Sequence, residues 1–309
     1  QAARVERARF TAASEGAAVG GLRLSDLVLT KPYLRLETDR EGKLISPLPA
    51  GLSRTRTKEK REPPTPVEMK NIRIEDGELL YIDRDVTWRP GPNRIEFRNV
   101  RLTLDHVSFP PEDAPSTFAL QAHLAGNLVS GSLDGKGTIH LETMAVKGKF
   151  EGKNLAVSDD GAPGQAARVE RARFTAASEG AAAKGLRLSD LVLTKPYLRL
   201  EMDRDGKMIA PRWLAKQREK TTSVEVKSLK IEDGELLYLD GKVTRQPFPV
   251  SVSNIELTAD QLSLPFGNQK TAYRLSARLP GKQSTGTLTS SGSTVLKTLD
   301  TDAEVSLRD

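Results

Sequence analysis

The opening segment of this chain occurs twice, almost letter for letter. QAARVERARFTAASEGAAVGGLRLSDLVLTKPYLRLETDREGKL starts at Gln1, and QAARVERARFTAASEGAAAKGLRLSDLVLTKPYLRLEMDRDGKM starts at Gln165. A second phrase, IEDGELLY, stands at Ile74–Tyr81 and again at Ile231–Tyr238. A module used twice in one chain must stack on its own copy, so it adds length to a scaffold rather than duplicating a catalytic centre. The repeat divides the chain into module 1 (residues 1–164) and module 2 (residues 165–309), with a boundary at the GAPG of Gly161–Gly164.

Within each copy the apolar residues alternate with polar ones, the period-2 signature of half-buried strands. Leu22/Leu24, Leu27/Leu29 and Leu34/Leu36 are separated by the breakers Ser25–Asp26 and Lys31–Pro32. Ile95/Phe97, Val100/Leu102/Leu104, Phe118/Leu120/Ala122/Leu124 and Ile139/Leu141 follow, with turn signals at Asp76–Gly77, Pro110–Pro111 and Asp134–Gly135. Nothing long keeps a 3.6-residue period. The expected fold is all-β: an elongated, repetitive β-groove, made of an open, curved antiparallel sheet of stacked strands, with at most short helices in connections. Trp213–Leu214 is the place where such a helix would start.

Asp-Gly is the preferred filling of a two-residue hairpin turn. That predicts a hairpin at Asp76–Gly77, with Ile72, Ile74, Leu79 and Tyr81 on one face. The second copy predicts the same around Asp233–Gly234, with Leu229, Ile231, Leu236 and Tyr238. Aligning the copies also pairs Phe118 with Tyr273, Leu120 with Leu275 and Leu124 with Leu279. These fourteen residues are the candidate lining of an apolar face. Glu75 and Glu78 would flank the hairpin tip, where water surrounds them and nothing splits their pKa values for acid–base work.

Other chemistry finds little support. The chain has no cysteine, which excludes disulfides and thiolate chemistry. His106, His123 and His140 are evenly spaced, as a metal site on neighbouring strands would be, but module 2 has Gln261, Arg278 and Val295 at those places. Strand-surface histidines are the simpler account, so no metal, no cofactor and no enzyme activity are expected. No Gly-rich phosphate loop and no nucleophile elbow occurs. The net charge of +6 permits contact with anionic partners, yet part of it sits in one run, Arg54, Arg56, Lys58, Lys60 and Arg61. No aromatic residue interleaves with that run, so no nucleic-acid partner is expected. There is no apolar stretch of about 18 residues to cross a membrane as a helix.

The phrase LVLTKPYLRLETDREGKL (Leu27–Leu44), a variable linker, and IRIEDGELLYID (Ile72–Asp83) recur as Leu191–Met208 and Leu229–Asp240. This order of strand, P-x-L-R-L strand, D-x-x-G turn, linker and I-x-D-G-x-L element resembles the AsmA-like superfamily of Gram-negative envelope proteins, nearest to its domain-of-unknown-function branch. The resemblance spans nearly the whole chain. It implies a periplasmic location, an inner-membrane anchor in segments outside this chain, and possible envelope-protein partners. It also implies that the apolar face carries phospholipid or another acyl lipid. A structural or adaptor rod with a closed apolar core would show the same alternation, so periodicity leaves both readings open.

Overall fold

The computed structural model describes residues 3–14, 21–39, 45, 66–84, 92–111, 114–127, 129–158, 165–179, 185–211, 223–242, 248–280 and 285–308. The basic run at Arg54–Arg61, the Trp213–Leu214 segment and the GAPG boundary lie outside these residues. The described chain is strand, joined by turns and bends, with no helix among the described residues. Two compact units form, one of Gln1–Asn127 with Leu133–Val146 and one of Leu128–Ser132 with Lys147–Asp309.

The first unit contains β1 (Ala3–Arg4), β2 (Arg7–Ser14), β3 (Leu22–Thr30), β4 (Tyr33–Thr38), β5 (Val67–Asp83), β6 (Asn93–Phe109) and β7 (Ser116–Gly126). The strands β8 (Val129–His140) and β9 (Ala145–Ser158) straddle the division. The second unit continues with β10 (Gln165–Ser178), β11 (Gly185–Met202), β12 (Met208–Ala210) and β13 (Ser223–Asp240). It ends with β14 (Phe248–Leu264), β15 (Lys270–Pro280), β16 (Thr285–Val295) and β17 (Asp300–Arg308).

Each unit is an open sheet, so the expected all-β, open-sheet class holds. Most neighbours are antiparallel, among them β5–β6, β6–β7, β9–β10, β10–β11 and the run from β13 to β17. Parallel pairing occurs at the same place in each copy: β3 and β4 both lie along β5, and β11 lies along β13. The sheet is therefore mixed. Parallel neighbours need a crossover of a dozen or more residues, and the variable linker between the P-x-L-R-L and I-x-D-G elements supplies that length.

The hairpins expected at Asp76–Gly77 and Asp233–Gly234 do not form. β5 and β13 run straight through both dipeptides. A type I′ turn needs positive φ at both central residues; here only the aspartates adopt it, Asp76 with φ of 51° and Asp233 with φ of 54°. Each aspartate is the extra residue of a bulge. The ladder continues across it, because Lys31 N–H donates to the Glu75 carbonyl and Glu78 N–H to the Pro32 carbonyl, both at 2.8 Å. Lys31 (φ 49) and Asn99 (φ 51) are left-handed at the same level of the sheet as Asp76. Lys195 (49), Asp233 (54) and Asn254 (48) repeat that line in the second unit.

Three more breakers are also bulges or plain strand. Asp26 (φ 54) lies inside β3, where its carboxylate accepts from Asn71 Nδ2 at 3.2 Å. Lys195–Pro196, the copy of Lys31–Pro32, lies inside β11, and Asp134–Gly135 lies inside β8 rather than at a turn. Bulges bend a strand and tighten its twist without ending it, so the strands are longer and fewer than the turn signals imply.

Candidate functional site, an uncovered apolar face

An odd spacing between apolar residues normally sends them to opposite faces of a strand. Ile74 and Leu79 are on one face because the bulge at Asp76 absorbs the extra residue. Gly77 marks the site of that adjustment: a Cβ there would lie 2.8 Å from Ile74 Cγ2 and 3.4 Å from Val100 Cβ. Gly234 repeats it, at 2.9 Å from Ile231 Cγ2 and 3.2 Å from Ile255 Cβ. The four residues of each IEDGELLY element thus share a face along one strand, not across a hairpin.

Register then assembles rows across the sheet, since directly paired residues project to the same side. In the first unit Leu29, Ile74, Leu102 and Leu120 form one row. Ile72, Leu104 and Phe118 form the next, and Leu34, Leu79, Phe97 and Leu124 a third. Tyr81 pairs with Leu36 and Ile95. In the second unit a single row crosses eight strands: Gly152, Ala172, Leu193, Ile231, Leu257, Leu275, Ser290 and Val305. Leu229 joins Leu191, Ala259 and Tyr273; Leu236 joins Leu198 and Val252; Tyr238 joins Leu200 and Val250. Leu279, opposite Gly286, extends the same face of β15. The structure brings every candidate residue onto these rows within its own unit.

What covers the face decides between groove and sandwich. In a sandwich the inner Leu, Ile and Phe side chains of both sheets are buried against each other. Here the buried apolar residues among those described are Ile72, Ile82, Val226 and seven alanines: Ala122, Ala156, Ala166, Ala172, Ala176, Ala259 and Ala277. The large candidates other than Ile72 are only half-buried. Small side chains are shielded by their taller neighbours in the same layer, while the tall ones keep their outer ends exposed. Ala122, Ala172, Ala176, Ala259 and Ala277 lie on the apolar face and are the part of the site that apolar periodicity undervalued, their signal being placement at inward positions, as with Ala122 between Leu120 and Leu124; Ala156, opposite Arg168, and Ile82, opposite Glu37, lie on the charged side.

The opposite face is charged and internally paired. Ion pairs run between residues two apart on one strand, including Arg35–Glu37 at 2.7 Å, Lys70–Glu68 at 3.0 Å, Arg199–Glu201 at 2.8 Å and Lys230–Glu232 at 2.7 Å. The Lys230 ammonium holds the Glu232 carboxyl below its ordinary range by hydrogen bonding, and is itself shifted up. A recess of about 610 Å³ beside the bulge line is lined by Asn154, Arg168, Glu170, Lys195, Asp233 and Glu235 among others. Its ions satisfy one another, Arg168 with Glu235 at 3.4 Å and Lys195 with Glu170 at 3.3 Å.

Glu75 and Glu78 sit mid-strand and exposed, flanking the bulge instead of a hairpin tip. His106 and His123 do not converge. His106 pairs with Lys70 and its Nδ1 lies 3.0 Å from Asp105 Oδ1, while His123 pairs with Arg98 toward the other end of β6. No group of His, Asp and Glu able to hold a metal occurs among the described residues. Comparison of the chain with protein-family models, curated proteins and solved structures finds no match.

Proposed function

We propose that the apolar face binds the acyl chains of phospholipid or a similar lipid, and that the chain is a non-enzymatic lipid-binding and lipid-transfer segment of a periplasmic envelope protein. The observation that supports this reading is the open face: among the described residues, large aliphatic side chains stand in register across the strands of each unit and are only half-buried, with buried alanines between them. Each acyl CH₂ laid on such a surface leaves water, a gain of about 0.8 kcal/mol when fully buried. Aliphatic rows without a deep pocket hold a chain at many equivalent registers, which suits movement along the face. The resemblance to the AsmA-like superfamily points the same way and supplies the proposed setting, with an inner-membrane anchor carried by segments outside this chain.

The test is native mass spectrometry of the gently purified chain, with photo-crosslinking to a diazirine-bearing phospholipid. Bound lipid is expected. Aspartate at Ile74 and Leu79, or at Leu275 and Leu279, is expected to leave the strand circular-dichroism signal in place and abolish lipid loading. Loss of folding in both double variants would instead identify the face as a closed core and favour a structural rod.

A further inference from the structure

The two copies of the repeat differ where the apolar face of copy two crosses β15–β17. In the alignment that pairs Phe118 with Tyr273, Gly135 aligns with Ser290, Ile139 with Thr294 and Val146 with Thr301. Copy two thus carries a hydroxyl at four positions where copy one has none. The apolar neighbours are kept: Leu120, Ala122, Leu124 and Leu133 are matched by Leu275, Ala277, Leu279 and Leu288.

Register puts all four hydroxyls on that face. Ser290 lies between Leu275 and Val305, Tyr273 opposite Gly292, and Thr294 between Thr271 and Thr301. Thr294 and Thr301 bond each other at 3.0 Å, and Thr301 also reaches the Leu299 carbonyl at 3.1 Å, so that pair is closed on itself. The Tyr273 and Ser290 hydroxyls, half-buried, lie 3.0 Å apart. Two hydroxyls hold two protons and share one hydrogen bond, so one O–H of this pair remains to donate outward. The rows through Tyr273 and Ser290 carry no charged residue among their described partners. A neutral acceptor therefore suits that proton better than a phosphate or carboxylate, whose charge would lack a counter-ion there.

What leads up to the pair identifies the acceptor. Leu193, Ile231, Leu257 and Leu275 run in unbroken aliphatic register from β11 to Ser290 on β16. Four strand steps of about 4.8 Å make that row about 19 Å long, the reach of an extended long-chain acyl group. An acyl chain laid along it ends at the hydroxyl pair, and the neutral acceptor at the end of such a chain is its ester. We propose, on the lipid-binding reading above, that the Tyr273–Ser290 pair donates to the ester carbonyl of an acyl lipid lying on this row, and so makes copy two selective for ester-linked lipid. Phe118 and Gly135 offer copy one no such donor, so it takes acyl chains without regard to their linkage.

The test uses the full chain and a phospholipid bearing a diazirine in its acyl chain, with the labelled peptides identified after irradiation. The competitor is either a diester phospholipid or its diether counterpart with the same chains and headgroup. At peptides from β13–β16 the diester is expected to compete about fivefold better, the worth of about one hydrogen bond. At peptides from β5–β7 the two should compete equally. Y273F/S290A, or Y273F/S290G with the residues of copy one, is expected to remove the difference while labelling and strand dichroism persist. Equal competition at β13–β16 in the unmodified chain, a preference shared by β5–β7, or one that survives both double variants would overturn the proposal and leave lipid binding intact. Absence of labelling in both copies would instead remove the lipid-binding reading, and this selectivity with it.

Discussion

Glu37 shows what a single residue contributes on the charged face. It is 9% exposed, on β4, and its carboxylate accepts from the Arg84 and Arg35 guanidiniums. Those hydrogen bonds, Arg84's first, hold its pKa below the usual 4.5 against the opposing effect of burial. A carboxyl whose folded pKa is depressed stabilises the fold above its unfolded pKa and loses that contribution as pH falls through the folded value. The denaturation midpoint of the first unit should therefore fall as pH is lowered from neutrality to below about 4.5, with the loss deepening toward the folded pKa. Glu37→Gln should flatten that slope and cost about 1 kcal/mol at neutral pH, a value discounted for the exposure of both arginines. Denaturant titrations of both proteins across that range check it. Two hydroxyls act in a comparable, repeated way: Ser116 and Thr271, both buried, donate to the carbonyls of His106 and Gln261. The face to which each large apolar residue belongs was legible at this scale, since alternation is a property of neighbouring residues. The arginine pair around Glu37 was not, because Arg84 reaches it only through the pairing of β4 with β5.

At the scale of elements the bulge is the device that matters. Asp76–Gly77 and Asp233–Gly234 have the letters of a hairpin turn, and the expected hairpins placed the right four residues on one face for the wrong reason. A two-residue turn and a one-residue bulge both bring Ile74 and Leu79 to the same side, so the spacing cannot separate them. Long-range hydrogen bonding separates them: the parallel neighbour continues past the dipeptide and keeps β5 extended. Nothing in the local sequence encodes that neighbour. Gly234→Val tests the bulge. Its Cβ would stand 2.9 Å from Ile231 Cγ2, closer than side chains approach, and a tight 3.2 Å from Ile255 Cβ, so a loss of about 1–3 kcal/mol is expected from overpacking. Hydrogen exchange should show faster amide exchange localised to β13 and β14. A turn glycine at a solvated tip would instead give a small change with no such localisation.

For the molecule as a whole, the governing fact is that each unit presents one charged face and one apolar face without a described second layer on the latter. A native chain of this kind should raise the fluorescence of an apolar dye such as ANS at neutral pH while its near-ultraviolet dichroism stays intact, and phospholipid should displace the dye. A closed core would bind dye only after partial unfolding. The pairing of β9 with β10 joins the end of copy one to the start of copy two. The sequence alone determined the all-β class, the duplicated module and the membership of the apolar face, because a strand's side-chain period is a local property that survives in the order of residues. Tertiary structure decided which strands are neighbours, that the strands on either side of the linker run parallel in each copy, that the Asp-Gly steps are bulges, and that within each unit the large apolar side chains among the described residues stay half-exposed. Those depend on main-chain hydrogen bonds and packing between segments far apart in the chain, and main-chain groups are the same whatever side chain they carry.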